Sequence, residues 1–152
     1  MKYTIKDLIV QNGRIFRTEG AFAIPFMDTP PINVVAKETA AAARGSEREY
    51  CFNFRLNAPP DEMWQEILRS QLGNFGVAVS RNILQFATVP ANLKSRYKTL
   101  KKAIVATNSL YAQKQQSLIA QIKEKDKQEA ATAQRKQQSQ EQAEKLFGEL
   151  EL

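Results

Sequence analysis

Residues 91–122 read ANLKSRYKTLKKAIVATNSLYAQKQQSLIAQI, and this stretch decides the fold that the sequence predicts. Its large apolar side chains recur at spacings of three, four or seven residues, which places them on one side of an α-helix. The stripe consists of Leu93, Tyr97, Leu100, Ile104, Tyr111, Leu118 and Ile122. We therefore expect a long helix that begins after Pro90 and lies with this stripe against the rest of the molecule.

The same stretch carries most of the net charge of the chain, which is +6. Residues 94–102 hold five basic groups and no acidic group, whereas residues 1–90 have a net charge of +1 and residues 103–152 of 0. We call the five residues the basic cluster: Lys94, Arg96, Lys98, Lys101 and Lys102. Their position costs about a few tenths of a kcal/mol each, because a helix dipole is already positive at the helix start.

The basic cluster has two interpretations. It is a candidate site for an anionic partner, either nucleic-acid phosphate or an acidic protein surface. Alternatively, it is a solvated helix face whose charges are matched by Asp61, Glu62 and Glu66 on the preceding helix. We expect those three carboxylates at a helix start, where capping and dipole compensation explain them better than acid–base catalysis does.

The first 49 residues are expected to begin a small antiparallel sheet. A hairpin is predicted at Asn12-Gly13, because this dipeptide adopts the positive φ angles of a tight turn. Pro25 and the Pro30-Pro31 pair limit the following segment to a sheet edge and a loop. Residues 36–49, AKETAAAARGSERE, combine strong helix formers with a glycine and predict a short helix or a mobile connection.

Residues 49–90 are expected to supply the best strand and a helix that lies against the sheet. Residues 49–56, EYCFNFRL, alternate as a strand does. Residues 57–73, NAPPDEMWQEILRSQLG, have prolines and acids suited to a helix start and a glycine suited to its end. Residues 75–90, FGVAVSRNILQFATVP, predict one bent strand or a hairpin that turns near Arg81-Asn82.

Together these elements predict an α+β fold: a small antiparallel sheet with helices on one face, followed by a long C-terminal helix and a polar tail. We expect a body of residues 1–122 and a tail of residues 123–152. Alanine is the sole apolar residue type in residues 123–145, so the tail is either a solvated helix or a disordered tether. An extended coiled coil is disfavoured because polar side chains interrupt its seam, although the long helix leaves homo-oligomerisation open.

The chain ends in LFGELEL, where apolar side chains return and alternate with acids. Leu146, Phe147, Leu150 and Leu152 are too few to form a core, and exposed apolar groups of this kind commonly mark a contact with another protein. We therefore identify these four residues as a candidate protein-docking peptide.

The composition argues against a Cys/His metal site and against a histidine-activated nucleophile, and it leaves carboxylate-plus-metal or lysine chemistry open. The chain has no histidine and one cysteine, Cys51, so it offers no Cys/His metal set and no Ser/His or Cys/His pair. Its six glycines form no phosphate-loop pattern, and no cofactor is predicted. No apolar run approaches the roughly 20 residues of a membrane span, and the N-terminus lacks the order of a signal peptide. We expect a cytoplasmic protein without a membrane partner.

Two functions fit these features. The first is a non-enzymatic protein-binding module, such as an adaptor, inhibitor or assembly subunit, that uses the long helix and the terminal peptide. The second is a nucleic-acid-binding protein that contacts phosphates through residues 94–102. Salt-dependent binding to a generic oligonucleotide separates the two.

Overall fold

The computed structural model describes residues 3–151 and is a mixed α+β fold. The predicted fold class is confirmed, although the strands form two antiparallel sheets instead of one. The first sheet is a meander of β1 (Leu8–Gln11), β2 (Arg14–Glu19) and β3 (Phe22–Met27), preceded by a 3-10 turn at Ile5–Asp7.

The details of this first sheet follow the turn chemistry of the sequence. Asn12 and Gly13 have φ angles of 53° and 75°, as a tight hairpin turn requires, and they join β1 to β2. Pro25 lies in β3, which is an edge strand, so its missing N–H donor interrupts no interior ladder. Both predictions for this region are confirmed.

The second sheet contains four strands in the spatial order β4-β5-β7-β6. Their bounds are β4 (Val34–Ala42), β5 (Tyr50–Leu56), β6 (Val77–Ser80) and β7 (Ile83–Thr88). The strand predicted from EYCFNFRL is β5, and of the two interpretations of residues 75–90 the hairpin is correct. The backbone reverses at Arg81, whose φ angle of 55° lies in the left-handed region.

The prediction of a helix or mobile connection at residues 36–49 was wrong. The first half of this segment, residues 36–42, belongs to β4, which pairs with β5 from Val34 opposite Leu56 to Ala42 opposite Tyr50, with two irregularities of register. Backbone hydrogen bonds to a strongly apolar neighbouring strand outweigh the intrinsic helix preference of alanine, which is a small free energy per residue. The other edge of β4 has no neighbouring strand within residues 3–151.

The short helix α1 (Glu62–Leu72) begins and ends where the sequence indicates. The Asp61 carboxylate accepts a hydrogen bond from the backbone N–H of Trp64, and Gly73 has the positive φ angle of a helix end. Its buried residues are Met63, Trp64, Leu68 and Leu72, and α1 packs mainly against the long helix and not directly on the sheet, where the sequence had predicted it.

The long helix α2 (Leu93–Gly148) has 56 residues and is about 84 Å long. A 3-10 turn at Pro90–Asn92 precedes it. Most of the predicted stripe is buried: Leu100, Ile104, Tyr111, Leu118 and Ile122. The helix reaches both sheets, since Tyr97 stacks on Phe54 of β5 and the later turns contact β1 and the 3-10 turn before it. The body is therefore assembled along the first part of this helix.

Every residue from 126 to 151 is exposed. We call residues 126–148 the arm, a helical extension of about 35 Å beyond the body. Of the two interpretations of the tail, the solvated helix matches the structure. Within residues 3–151, no helix combines the length and the apolar composition needed to cross a membrane.

Candidate functional site

Polar side chains on α2 attach this helix to the loop between the two sheets. The Asn108 Oδ1 atom accepts hydrogen bonds from the backbone N–H of Ile32 at 3.0 Å and from Nε1 of Trp64 at 2.9 Å. Its Nδ2 atom donates to the carbonyl oxygen of Ile32 at 2.9 Å. One asparagine thus joins α2, α1 and the loop, and it satisfies the indole of the fully buried Trp64.

Tyr111 makes a second attachment one turn further along α2. Its hydroxyl donates to Oδ2 of Asp61 at 2.5 Å and accepts from the backbone N–H of Thr29 at 3.0 Å. Burial raises the pKa of Tyr111 well above its ordinary value of 10, and the hydrogen bond to Asp61 raises it further. Tyr111 therefore remains a neutral donor across the physiological range.

Two further contacts attach α2 to the first sheet. Gln115 Nε2 donates to the carbonyl oxygen of Met27 at 3.0 Å. Lys125 Nζ lies 3.3 Å from the carbonyl oxygen of Ile5 and 3.4 Å from that of Leu8, at the end of the 3-10 turn. From residue 108 to residue 125, the helix is thus fixed by hydrogen bonds as well as by its apolar stripe. The direction of the arm follows from these attachments.

A groove of about 760 Å³ lies between β4, β5 and the first turns of α2. Phe52, Phe54 and Tyr97 supply aromatic surface, and the rings of Phe54 and Tyr97 stack at 5.1 Å. The alanines of β4 that line the groove have side chains too short to fill it. The full lining is Val34, Val35, Ala36, Lys37, Glu38, Thr39, Ala40, Phe52, Asn53, Phe54, Leu93, Lys94 and Tyr97. Its volume falls in the range typical of binding sites.

The charged residues that line this groove are two lysines and one acid. Lys37 and Glu38 come from β4, and Lys94 comes from the first turn of α2. Glu38 lies 3.3 Å from Arg55 in an ion pair, so its charge is partly compensated. The groove is therefore apolar along its aromatic side and positive overall.

The structure divides the basic cluster into two groups. At 3.6 residues per turn, its four lysines fall within a sector of α2 about 100° wide. Arg96 lies away from them, with its guanidinium 5.1 Å from the centre of the Phe75 ring. Lys101 lies 5.8 Å from the centre of the Tyr97 ring, beside the groove. The lysine sector follows from helical spacing alone, whereas the contact of Arg96 with Phe75 depends on tertiary packing and was not visible in the sequence.

All five residues of the basic cluster are exposed, and none forms an ion pair with an acidic residue in the described part of the chain. The Asp61 carboxylate, which was expected to help match their charge, is bonded to Tyr111 and to the backbone of Trp64 and Asp28. The cluster therefore presents its positive charge to solvent.

The terminal peptide is exposed at the far end of the arm. Leu146, Phe147 and Leu150 are 56%, 77% and 71% exposed, and Leu152 lies outside the described residues. We call Leu146, Phe147 and Leu150 the tip. The structure does not bring the tip and the basic cluster together, since about 75 Å of helix separates Tyr97 from Phe147.

Sequence reasoning missed the groove and Asn108. The groove was hidden because residues 36–42 were not expected to form a strand beside β5. Asn108 had a visible signal, since it lies on the apolar face of α2 in the seven-residue gap between Ile104 and Tyr111. Buried polar side chains are usually hydrogen bonded, so a polar residue in such a gap is a candidate for a tertiary hydrogen bond.

Comparison with protein-family models, curated proteins and solved structures finds no match to this chain. The features of the molecule that bear on function are the groove, the basic cluster, the arm and the tip.

Proposed function

We propose that this protein is a non-enzymatic protein-binding module that holds an apolar docking element at the end of a helical arm. The observation that carries this proposal is the tip, where three large apolar side chains are more than half exposed at the end of an arm whose preceding residues have no apolar side chain larger than alanine. Clustered apolar groups that remain in water are a common mark of a protein contact.

The arm supports this proposal because its sequence suits a helix that has no neighbour. It is rich in good helix formers, and side chains four residues apart are hydrogen bonded: Gln137 to Glu141 and Gln140 to Glu144, each at 3.2 Å. The attachments of Asn108, Tyr111 and Lys125 fix the base of the same helix. A partner at the tip would thus be held about 35 Å from the body, as suits an adaptor or assembly subunit.

A binding experiment with tip variants tests the proposal. The full chain is immobilised, proteins retained from a lysate of the encoding organism are identified, and the affinity of a purified partner is then measured by calorimetry. Phe147→Ala combined with Leu150→Ala should weaken that affinity at least tenfold, because both side chains lose buried apolar area. Val105→Ala is the matched control, since Val105 is 69% exposed on the same helix but outside the tip. Equal affinities for the wild type and the tip variant would contradict the proposal.

A second candidate function is nucleic-acid binding through the basic cluster. The observation that favours it is the shared sector of Lys94, Lys98, Lys101 and Lys102, which suits contact with successive phosphates along one strand. Arg96 is turned toward Phe75, so the cluster offers little for reading base edges. Binding of this kind would be strongly dependent on salt and weakly dependent on sequence.

A further inference from the structure

We propose that the groove of one copy of this chain binds the tip of a second copy. The inference rests on the proposed function, because it uses the same docking element, and it names the partner as the chain itself. The two surfaces are different patches of the molecule, so the contact is heterologous.

The chemistry of the tip matches that of the groove. The tip presents Leu and Phe side chains, and the groove has an aromatic side made by Phe52, Phe54 and Tyr97. The acids Glu149 and Glu151 flank Leu150, whereas the groove is bordered by Lys37 and Lys94, and the one acid in its lining, Glu38, is paired with Arg55. An apolar and acidic peptide is therefore complementary to an apolar and positive groove.

The geometry of α2 prevents the tip from reaching the groove of its own chain, so a contact between tip and groove must join two copies. The groove includes Leu93 and Tyr97 at the start of the helix, and the tip lies at its end. A continuous helix holds these two positions about 75 Å apart, so a chain cannot place its own tip in its own groove while the helix is intact. A second copy carries the same tip on an exposed arm that can reach outward.

Peptide binding tests the contact directly. A fluorescent peptide of residues 143–152 is titrated with a chain that ends at residue 142, and anisotropy is recorded. We expect saturable binding that weakens at least tenfold when the peptide carries Phe147→Ala. Ala40→Trp in the chain should weaken binding by a similar factor, because Ala40 is an exposed residue that lines the groove. The matched control is Ala87→Trp on the outward face of the same sheet, where binding should be unchanged.

Charge exchange in the full chain tests whether the partner is a second copy. Lys94→Glu alone and Glu149→Lys alone should each weaken self-association in sedimentation velocity by about three- to tenfold. An equal mixture of the two variants should associate as the wild type does. In that mixture, each changed groove meets a changed tip of opposite charge, and each unchanged groove meets an unchanged tip.

The outcomes separate this inference from the proposed function. A chain that stays monomeric, with a peptide that fails to bind, overturns docking between copies. If the tip variants still lose affinity for a different purified protein, the proposed function stands. If the peptide binds equally well to the Ala40→Trp and Ala87→Trp chains, the groove is not its site and the inference is overturned.

Discussion

The hydroxyl oxygen of Tyr111 lies 2.5 Å from Oδ2 of Asp61, and this hydrogen bond connects the long helix to the cap of the short one. The other carboxylate oxygen of Asp61 accepts from the backbone N–H of Trp64 at 2.9 Å. One carboxylate thus starts α1 and positions α2. The direction of the arm therefore depends on a contact between Tyr111 and Asp61, which are 50 positions apart in the sequence.

Tyr111→Phe should reduce the free energy of unfolding by about 1–3 kcal/mol, because Asp61 loses a buried donor. The raised pKa of Tyr111 predicts a further effect of pH. Below pH 10, the tyrosine is neutral in both states and its contribution is fully present. Above pH 10, the unfolded chain loses this proton first, so the contribution declines as the pH rises.

Urea unfolding of both proteins between pH 7 and pH 11 measures this dependence. The difference in unfolding free energy between the wild type and Tyr111→Phe should shrink above pH 10. Tyr50→Phe is the control, since Tyr50 is exposed and is the first residue of β5. Its substitution should change the free energy of unfolding by close to zero at every pH. A constant difference for Tyr111→Phe across the range would contradict the predicted shift.

Asn108→Ala should reduce the free energy of unfolding by about 2–4 kcal/mol. The variant leaves the indole N–H of Trp64 and the backbone N–H of Ile32 without their acceptor, and each buried orphan donor costs about 1–3 kcal/mol. Chemical denaturation measures the loss. Ser109→Ala, the exposed neighbour on α2, should change stability by less than about 0.5 kcal/mol. Equal effects of the two substitutions would mean that the network does not stabilise the fold.

Limited proteolysis should cut the chain between Lys123 and Lys145 and leave a stable fragment of residues 1 to about 120. The helix there has exposed side chains throughout and is held by local interactions, so its local opening costs little free energy. Mass spectrometry of trypsin fragments at short times identifies the sites. Uniform resistance of the stretch at low protein concentration would show that it packs against the body.

Removal of residues 146–152 should leave the melting temperature within about one or two degrees of the wild type. The tip contributes to no buried cluster in residues 3–151, so folding of the monomer does not require it. Calorimetry at a concentration where the chain is monomeric measures the effect. A decrease of several degrees would indicate that the terminal peptide packs against the body.

The basic cluster predicts a salt dependence if it binds duplex DNA. With all five cations on phosphates, the logarithm of affinity should fall against the logarithm of salt with a slope of about 4 to 5. The four lysines of one sector alone give about 3.6. A triple variant, Lys98→Gln, Lys101→Gln and Lys102→Gln, should lower the slope by about 2.7, as measured with a labelled oligonucleotide.

A charge-matched control makes this measurement specific to the cluster. The control carries three substitutions on the arm: Lys127→Gln, Arg135→Gln and Lys136→Gln. It removes the same charge, and its slope should stay close to that of the wild type. Equal slopes for all three proteins, or no binding at micromolar protein and physiological salt, would remove nucleic acid as a partner.

Elements whose ends are fixed by turn or cap residues could be predicted from the sequence alone. Asn12-Gly13 indicated the first hairpin, Asp61 and Gly73 indicated α1, and the apolar stripe indicated α2. Each of these signals acts within a few residues, so no tertiary contact was needed to interpret it.

The failures came from contacts between distant parts of the chain. β4 is a strand because β5 is beside it, and no local preference in residues 36–42 indicates that pairing. The groove is formed jointly by β4, β5 and the start of α2, so it could not be predicted while residues 36–42 were not recognised as a strand. The attachment of Lys125 to Ile5 extends the contacts of the body past the expected boundary at residue 122, across 120 positions of sequence.

Because α2 is continuous from the body to the tip, the length of the arm also sets the direction in which the tip faces around the helix axis. Each residue added to the arm lengthens it by about 1.5 Å and turns the tip by about 100° around the helix axis. Two added residues would move the tip only about 3 Å outward but would turn it to nearly the opposite side. Seven added residues would move it about 10 Å and turn it by only about 20°. Changes of arm length therefore keep the tip facing the same way when they come in steps of seven.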